Sequence, residues 1–547
     1  MKNILGISGG TRPGNQDSAA TLISKGTVIA CVEEERFIRI KHAPGILPEN
    51  AIRYCLKQAN LDIKDIDYIV FAGATYDLMV QILTNFFNFK FGYCPKVVLI
   101  DHHLAHSSSA YYASGFKDSF IITADFSGDN RSTVLWYADK NGIKEIESYS
   151  KPNSLGLFYA TITQYLGFRY DNDECKTMAL AGYNSKNDCI LNDFLITRDC
   201  GYYVNTKYLD ARIMPGKTNP SRQEPLFSKY LIKSLNKNFR RNNEAIDDFY
   251  LSVAKSAQTS LENAYFELIK KLKKSRYKSD NLCLAGGVAL NAELNSKIAY
   301  ANEFKQLFIQ PVSNDAGLSI GGALYIANKY NSLYKKNMET LYLGPDFSDK
   351  QIKQTLLKNK IKYKYYSTGI EKEVANLLAK GHIGAIFNGR MECGPRALGN
   401  RSILANPKNP KVKDILNREF KERELFQPFA PSVLEEEANK YFDLPKTKVN
   451  LEHMIVNVKV KKAKQKDIMS AIHVNNTARV QQVSKDLNPF FYKILQKFNK
   501  KTGTSVLLNT SLNKRGQPIA CTPSDGLNIF YSTPLDFIAM GKCLIKK

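Results

Sequence analysis

The order of elements at the amino terminus constrains this chain most. Residues 3–8, 18–23 and 26–33 read as three short apolar strands separated by Gly, Pro, Asn and Asp, the punctuation of a strand meander. A helix from about Pro48 to Ala59, a strand at Tyr68 to Ala72, another helix, a strand at Val97 to Ile100 and a helix from about Leu104 follow. Beyond them strands alternate with helices, which predicts an α/β protein with a mixed or parallel sheet.

Three strands followed by helix, strand and helix form the half-unit of the actin, hexokinase and Hsp70-like (ASKHA) ATPases, in which two halves close on a nucleotide. A second half is expected to begin near Asp280, with the strand Asn281–Ala285 and the loop Gly286-Gly287-Val288. The stretch Lys329–Gly344 loses periodicity and leads to Pro345-Asp346-Phe347-Ser348, a helix start, so the chain divides into domains 1–344 and 345–547. The whole length suits roughly two to four domains of about 150 residues.

The balance of 77 Lys and Arg against 52 Asp and Glu, a formal charge of +25, admits nucleic acid, anionic surfaces or phosphorylated substrates. The clusters Lys270–Lys278 and Lys459–Lys466 carry few aromatics and read as solvated faces, so nucleic acid is not expected as a partner. Ten cysteines stand singly with no C-x-x-C pair, which argues against zinc fingers and a disulfide framework. No run approaches the roughly 18 apolar residues of a membrane span, and Met1–Ile7 reads as a strand rather than a signal peptide. A soluble, cytoplasmic protein is expected.

Three of the seven histidines fall in Asp101-His102-His103-Leu104-Ala105-His106, directly after an apolar strand. On a helix, His102 and His106 share a face and can grip one cation, while His103 points elsewhere. The strand Phe120–Ala124 ends in Asp125-Phe126-Ser127-Gly128-Asp129, and Asn314-Asp315-Ala316-Gly317 is a second acidic turn. Together His102, His106, Asp125 and Asp315 form a mixed N/O set suited to Fe²⁺, Mn²⁺ or Zn²⁺, with the task of holding nucleotide phosphates. Gly286 and Gly287 after a strand would let backbone N–H groups approach a ligand. In the second domain Arg390, Arg396 and Arg401 are interleaved with glycines, so that their guanidinium forks can converge on phosphate or carboxylate. Lys421-Glu422-Arg423, Thr477-Ala478-Arg479 and Asn509-Thr510-Ser511 add cations and small donors to this anionic-ligand pocket.

Val32-Glu33-Glu34-Glu35-Arg36-Phe37 with Lys41-His42, the H-H-x-x-H run, Ser154–Tyr159, Gly394-Pro395-Arg396-Ala397-Leu398-Gly399-Asn400-Arg401-Ser402, Phe429–Ser432 and Asn509–Ser511 closely resemble the NodU/CmcH-type O-carbamoyltransferases. The resemblance covers nearly the whole chain. It implies a YrdC-like carboxyl-terminal domain that converts carbamoyl phosphate and ATP to carbamoyl-adenylate, and an amino-terminal domain that transfers the carbamoyl group to a hydroxyl of a small natural product or sugar. It further implies metal binding, iron by preference, at His102, His106, Asp125 and Asp315, a transfer-site role for Lys41, and an adenylate site lined by Arg396, Lys421, Arg423, Arg479, Asn509 and Ser511. Two positions depart from the pattern. Gln16 stands where the family has histidine, and Asn475-Asn476 where it has Asp-Gly. Because Gln cannot accept a proton near neutral pH, Gln16 is assigned to orienting the acceptor, and Asp17, His42 and Asp129 are the nearby groups for taking its proton. A tRNA-threonylcarbamoylating enzyme, a hydrogenase-maturation S-carbamoylating enzyme and a non-catalytic nucleotide-binding scaffold are the competing readings, and a monomer or homodimer is expected.

Overall fold

The computed structural model describes residues 1–12, 14–183, 190–213, 224–242, 244–331, 338 and 340–547, so Cys189 and part of the aperiodic stretch 329–344 lie outside the described residues. The first sheet is built from β1 (Ile4–Ser8), β2 (Ala19–Ser24), β3 (Thr27–Glu33), β4 (Tyr68–Ala72) and β5 (Lys96–Ile100), in the order β3-β2-β1-β4-β5. The first three strands form the expected antiparallel meander, and β4 and β5 add in parallel. Helix α1 (Glu35–Ile38) follows β3, and α2 (Glu49–Ala59) and α3 (Met79–Phe91) cover one face with Ala51, Ile52, Cys55, Leu83 and Phe87. Helix α4 (His102–Ser114) follows β5.

The same plan recurs from Ser119. Strands β6 (Ser119–Gly128), β7 (Arg131–Asp139) and β8 (Gly142–Ser150) form a second meander. An insertion then runs through α5 (Leu155–Tyr165), α6 (Glu174–Leu180), the hairpin β9 (Leu195–Arg198) and β10 (Gly201–Val204), α7 (Lys229–Leu235) and α8 (Asp248–Lys274). Strand β11 (Asn281–Ala285), α9 (Ala292–Ala301), β12 (Gln306–Ile309) and α10 (Ala316–Lys329) complete the unit, with β11 and β12 parallel to β6. Both sheets thus share strand order and polarity, a duplicated half-unit. The second half begins at Ser119 rather than near Asp280. The hairpin turns that mark it are Asp129-Asn130, both at positive φ, and Lys140-Asn141 before Gly142, and the long insertion separates them from the strand Asn281–Ala285.

The rest of the chain supplies β13 (Lys364–Tyr365), β14 (Gly384–Phe387), β15 (Arg401–Ala405), β16 (Ala430–Leu434), β17 (Phe442–Asp443), β18 (Lys448–Val449), β19 (Asn457–Val460), β20 (Thr477–Arg479), β21 (Gln481–Val483), β22 (Val506–Ser511), β23 (Phe537–Met540) and β24 (Cys543–Lys546). Eight of these make a mixed sheet, β13-β24-β23-β14-β15-β22-β16-β21, with apolar cores on both faces. Strand β18 instead extends the second sheet beside β12, and Tyr441, Phe442, Val456 and Val458 join the core around α8. The two parts of the chain therefore interlock. The nine described cysteines are free thiols. Among the described residues no helix is long and apolar enough to cross a membrane.

Candidate active site

The carboxyl ends of β5, β6 and β12 converge because α4 and α10 cross tightly. An ideal Cβ on Gly321 would lie 1.8 Å from the Ala105 carbonyl, so only glycine permits this approach. The crossing sets Asp315, just before α10, beside the first turn of α4. Asp101 caps α4 by accepting the Leu104 N–H at 2.8 Å and is paired with Arg131. On β6 the register breaks between Ala124 and Gly128, and this bulge releases Asp125 from the ladder. Gly128 lets the strand pass the His102 ring, where a Cβ would meet the ring at 2.1 Å.

The result is a four-residue cluster. His106 Nε2 lies 3.1 Å from Asp125 Oδ2 and 3.6 Å from Asp315 Oδ1, and His102 Nε2 lies 3.7 and 3.8 Å from the same two oxygens. All four ligand atoms fall within 4.8 Å of one another, so a modest inward shift of the side chains would let them share one ion at about 2.1 Å. His102 Nε2 is buried without a hydrogen-bond partner and faces the same two carboxylate oxygens as His106. A two-imidazole, two-carboxylate set fits a borderline divalent metal. With protons alone, burial opposes a charge on His106, but Asp125 and Asp315 outweigh it and push its pKa up to about 9. Asp125 shows the reverse balance: burial works against its charge, and the two histidines hold it well below the carboxylate range. His103 turns away to Thr123 Oγ1, 3.0 Å distant, and burial followed by the charges of His102 and His106 keeps it neutral.

Asp129 has a different task from the proton acceptance set out for it. Its carboxylate accepts from Ala74 N (2.9 Å), Thr75 N (3.0 Å), Thr75 Oγ1 (2.7 Å) and His102 N (2.8 Å), tying the loop after β4 to the start of α4. Burial opposes its charge, but these donors lower its pKa, which makes it a positioning group and a weak base. Gly287 donates its N–H to Asp125 Oδ2 at 3.3 Å, and a Cβ on Gly286 would meet the Ala124 carbonyl at 2.3 Å. These glycines support Asp125.

On the opposite loop Asp17 Oδ1 lies 2.7 Å from His42 Nδ1, while Lys41 Nζ donates to Asn172 Oδ1 at 2.7 Å. His42 Nε2 also reaches Asn172 Oδ1, at 3.2 Å, and Gln16 Nε2 donates to Asp171 Oδ2 at 3.3 Å. Burial disfavours the His42 imidazolium, but Asp17 prevails and raises its pKa.

The second cluster lies in the carboxyl-terminal part. The half-buried side chains of Arg396 and Arg479 leave their buried Nε atoms unpartnered, and among the described residues neither pairs with a carboxylate. Burial, then the charges of Arg396 and Arg423, drives Arg479 well below its ordinary range. Burial lowers Arg396, and it brings Arg423 down to about 10. His473 shares this positive field: burial, Arg479 and Lys413 push it down to about 3. Arg423 is aimed by Asn417 Oδ1 at 2.7 Å and stacks on Phe429. A π-helical turn at Leu416–Phe420 presents the buried Lys421, whose Nζ binds Asn513 O (2.9 Å) and Asn513 Oδ1 (2.8 Å) and touches Ser511. Asn509 donates to Ser432 Oγ and Gln481 Oε1, both at 3.0 Å, leaving its own Oδ1 buried and unused. Asn475 accepts from Thr477 Oγ1 at 2.7 Å and so sets the turn before Arg479. Helix α6 brings Cys175 into the field of Arg396, Arg423 and Arg479.

Arg401 does not belong to this pocket. It is fully buried, donates to the carbonyls of Asn388 (2.9 Å), Gly389 (3.1 Å), Asn400 (3.1 Å) and Pro345 (3.0 Å), and lies over Phe387. It pins the loop that carries Arg396. Sequence reasoning missed Glu392, whose Oε1 accepts from Leu398 N (2.8 Å), Asn400 N (2.7 Å) and Arg401 N (3.2 Å) and folds the same loop. It also left Ser432, at the end of the Phe429–Ser432 motif, and Gln481, two residues after Arg479, without a role.

Comparison with known proteins agrees with this layout. The family model described as Carbamoyltransferase N-terminus matches residues 3–90 and 74–324, and that described as Carbamoyltransferase C-terminus matches 375–547. The nodulation protein NolNO of Sinorhizobium fredii is 34% identical over 97% of this chain and 79% of its own length. NolO of Bradyrhizobium diazoefficiens is 34% identical over 82% of this chain and 79% of its own length. The uncharacterized protein sll1178 of Synechocystis is 32% identical over the full chain and 97% of its own length. Among solved structures, HypF of T. kodakarensis covers 61% of this chain and is itself covered over 49%, at 14% identity and a TM-score of 0.34, too distant for its chemistry to bear on this chain. The two matched segments span both clusters, and on that basis the chain belongs to the carbamoyltransferase family.

Proposed function

We propose that this carbamoyltransferase is ATP- and metal-dependent and carbamoylates a hydroxyl of a small natural product or sugar. The observation that carries the reading is the half-buried pair Arg396 and Arg479, whose Nε atoms are buried and unpartnered and which have no carboxylate partner among the described residues. Cations withdrawn from water without a counterion are costly unless an anion completes them, and carbamoyl phosphate and ATP are such anions. In this reading the carboxyl-terminal part, residues 345–547, is YrdC-like and forms carbamoyl-adenylate, while residues 1–344 transfer the carbamoyl group. Arg396, Arg423 and Arg479 neutralise the phosphates, Lys421 fixes the turn holding Ser511, and the free Asn509 Oδ1 accepts from a ligand amine. By atom balance, replacing the phosphate of carbamoyl phosphate with AMP consumes one water and releases phosphate and pyrophosphate.

His102, His106, Asp125 and Asp315 would hold a divalent ion, Fe²⁺ ahead of Mn²⁺ or Zn²⁺, which would supply positive charge for phosphate oxygens. Lys41 and Gln16 orient the reacting groups. The Asp17–His42 pair takes the acceptor proton as the acceptor oxygen bonds to the carbamoyl carbon and AMP departs with the bonding electrons. His42 stands in for the histidine that Gln16 replaces.

Pyrophosphate release by the purified protein tests this reading. It is expected only when ATP and carbamoyl phosphate are both present, and mass spectrometry of candidate acceptors should then show an added carbamoyl group. Carbamoylation that continues without ATP would exclude the adenylate.

A further inference from the structure

The acidic-basic segment after β3 takes no part in either cluster, yet it touches loops of both. Arg36 is almost fully buried and sits between Glu33 Oε1 at 3.1 Å and Glu35 Oε1 at 2.7 Å. This trio grips one residue of the distant carboxyl-terminal loop from both sides. Arg36 donates to the Gly394 carbonyl at 2.8 Å, and the Gly394 N–H donates to Glu33 at 2.7 Å. Gly394 lies two residues before Arg396. One helical turn on, Arg39 donates to Ile519 O (2.7 Å) and Pro518 O (2.8 Å) and faces Asp525 at 3.5 Å. Pro518 adjoins Gln517, whose carbonyl receives Asn513 Nδ2 at 2.7 Å, and Asn513 in turn holds Lys421. Between the two grips Phe37 packs on Met391, Ile519 and Cys521. Toward the amino-terminal site, the second oxygen of Glu35 accepts the His42 N–H at 2.6 Å, next to Lys41 and the Asp17 contact.

We infer that residues Glu33–Arg39 are a strut that sets the anion-pocket loops and the Lys41–His42 loop in one register, with Arg36 as its positioning residue. The inference rests on the two-site reading. A greasy patch would glue the two parts together equally well. Charged side chains aimed at main-chain groups of one glycine do more, because they fix loop position to a fraction of an ångström. Carbamoyl-adenylate is an activated acyl phosphate that water destroys, so its survival depends on the two loops staying closed around it. A slackened strut leaves adenylation possible and lets the intermediate escape.

The test uses the full-length protein with ATP, carbamoyl phosphate and metal, without an acceptor. Wild type is expected to release a burst of about one pyrophosphate per chain and then turn over slowly, because the intermediate is retained. Arg36→Lys, which keeps the charge between the two glutamates, and Arg39→Ala should keep that burst but raise steady AMP release about tenfold or more. A general loss of structure would instead lower both phases. If Arg36→Lys does not fold, the partly exposed Arg39 reports alone. Burst and leak equal to wild type in the folded variants would overturn the strut, as would loss of the burst without a leak. No burst in wild type would bring down the adenylate reading itself, and the strut with it.

Discussion

The two clusters treat charge in opposite ways. Around α4, two imidazoles face two carboxylates, and each side answers the other: His106 is pushed up to about 9 while Asp125 falls. In the carboxyl-terminal pocket Arg396 and Arg479 face no carboxylate among the described residues, and Arg423 and Lys421 only add to the positive field. The first cluster is internally compensated, its histidines and carboxylates offsetting each other. The second carries an electrostatic cost that, in the proposed function, an anionic ligand would remove.

The sharpest way to break this contrast is to remove one pocket cation. Arg479→Met loses about two charge-assisted hydrogen bonds of about 1.5–3 kcal/mol each to the ligand, so pyrophosphate formation should fall roughly 10²- to 10⁴-fold. The ligand-free variant should nonetheless melt no lower than wild type, since a half-buried charge with no counterion among the described residues has gone. A marked fall in melting temperature without ligand would show that Arg479 has a structural counterion after all.

The compensated site should respond in the other way. His102→Ala and His106→Ala are each expected to lose bound metal by elemental analysis, whereas His103→Ala keeps it. Since His103 meets Thr123 in the core, its replacement should appear as lost stability of about 1–3 kcal/mol instead. Metal loss confined to the His103 variant would reverse the assignment. A smaller effect separates the sites thermodynamically. ATP with carbamoyl phosphate at about a hundred times the dissociation constant should stabilise wild type by about 2.7 kcal/mol. Arg396→Ala should abolish the part of this shift that comes from the pocket, and His106→Ala should retain it.

These two sites were also unequally legible. His102, His106, Asp125 and Asp315 could be picked out because helical spacing and acidic strand ends are local signals, and their convergence needed only the α4–α10 crossing written in Ser319-Ile320-Gly321-Gly322-Ala323. The arginines of the G-P-R-A-L-G-N-R-S loop carry no such code. Arg396 and Arg401 look alike in sequence, and only the fold decides that one is left without a counterion while the other is consumed by four main-chain carbonyls. Asp129 was misjudged for a related reason, since its four donors come from residues 74, 75 and 102, remote in the chain. The first sheet was readable to within a residue or two at most ends. The second half was not, because the insertion between β8 and β11 hid a meander whose turns were in plain view at Asp129-Asn130 and Lys140-Asn141.

The smallest effect concerns α6, whose first turn stands between the two sites. Its Cys175 meets the arginine field, while the turn before it binds Gln16 and the Lys41–His42 loop through Asp171 and Asn172. Glu174 accepts the Asp171 N–H at 2.7 Å, and burial, followed by the charge of Asp171, pushes its pKa up to about 7. The unfolded chain loses this proton near 4.5. Between those two values the folded state therefore holds the proton more tightly, and stability falls as pH rises toward 7 and stays lower above it. Glu174→Gln keeps the neutral form at every pH. It should match wild type near pH 4.5 and become the more stable protein by pH 8, by about 1–2 kcal/mol once partial solvent screening is allowed for. Paired denaturant titrations at the two pH values read the difference directly. A gap that does not change with pH would mean that Glu174 ionises as an ordinary carboxylate, and that the crowding of Asp171 and Asp173 around it is relieved by solvent.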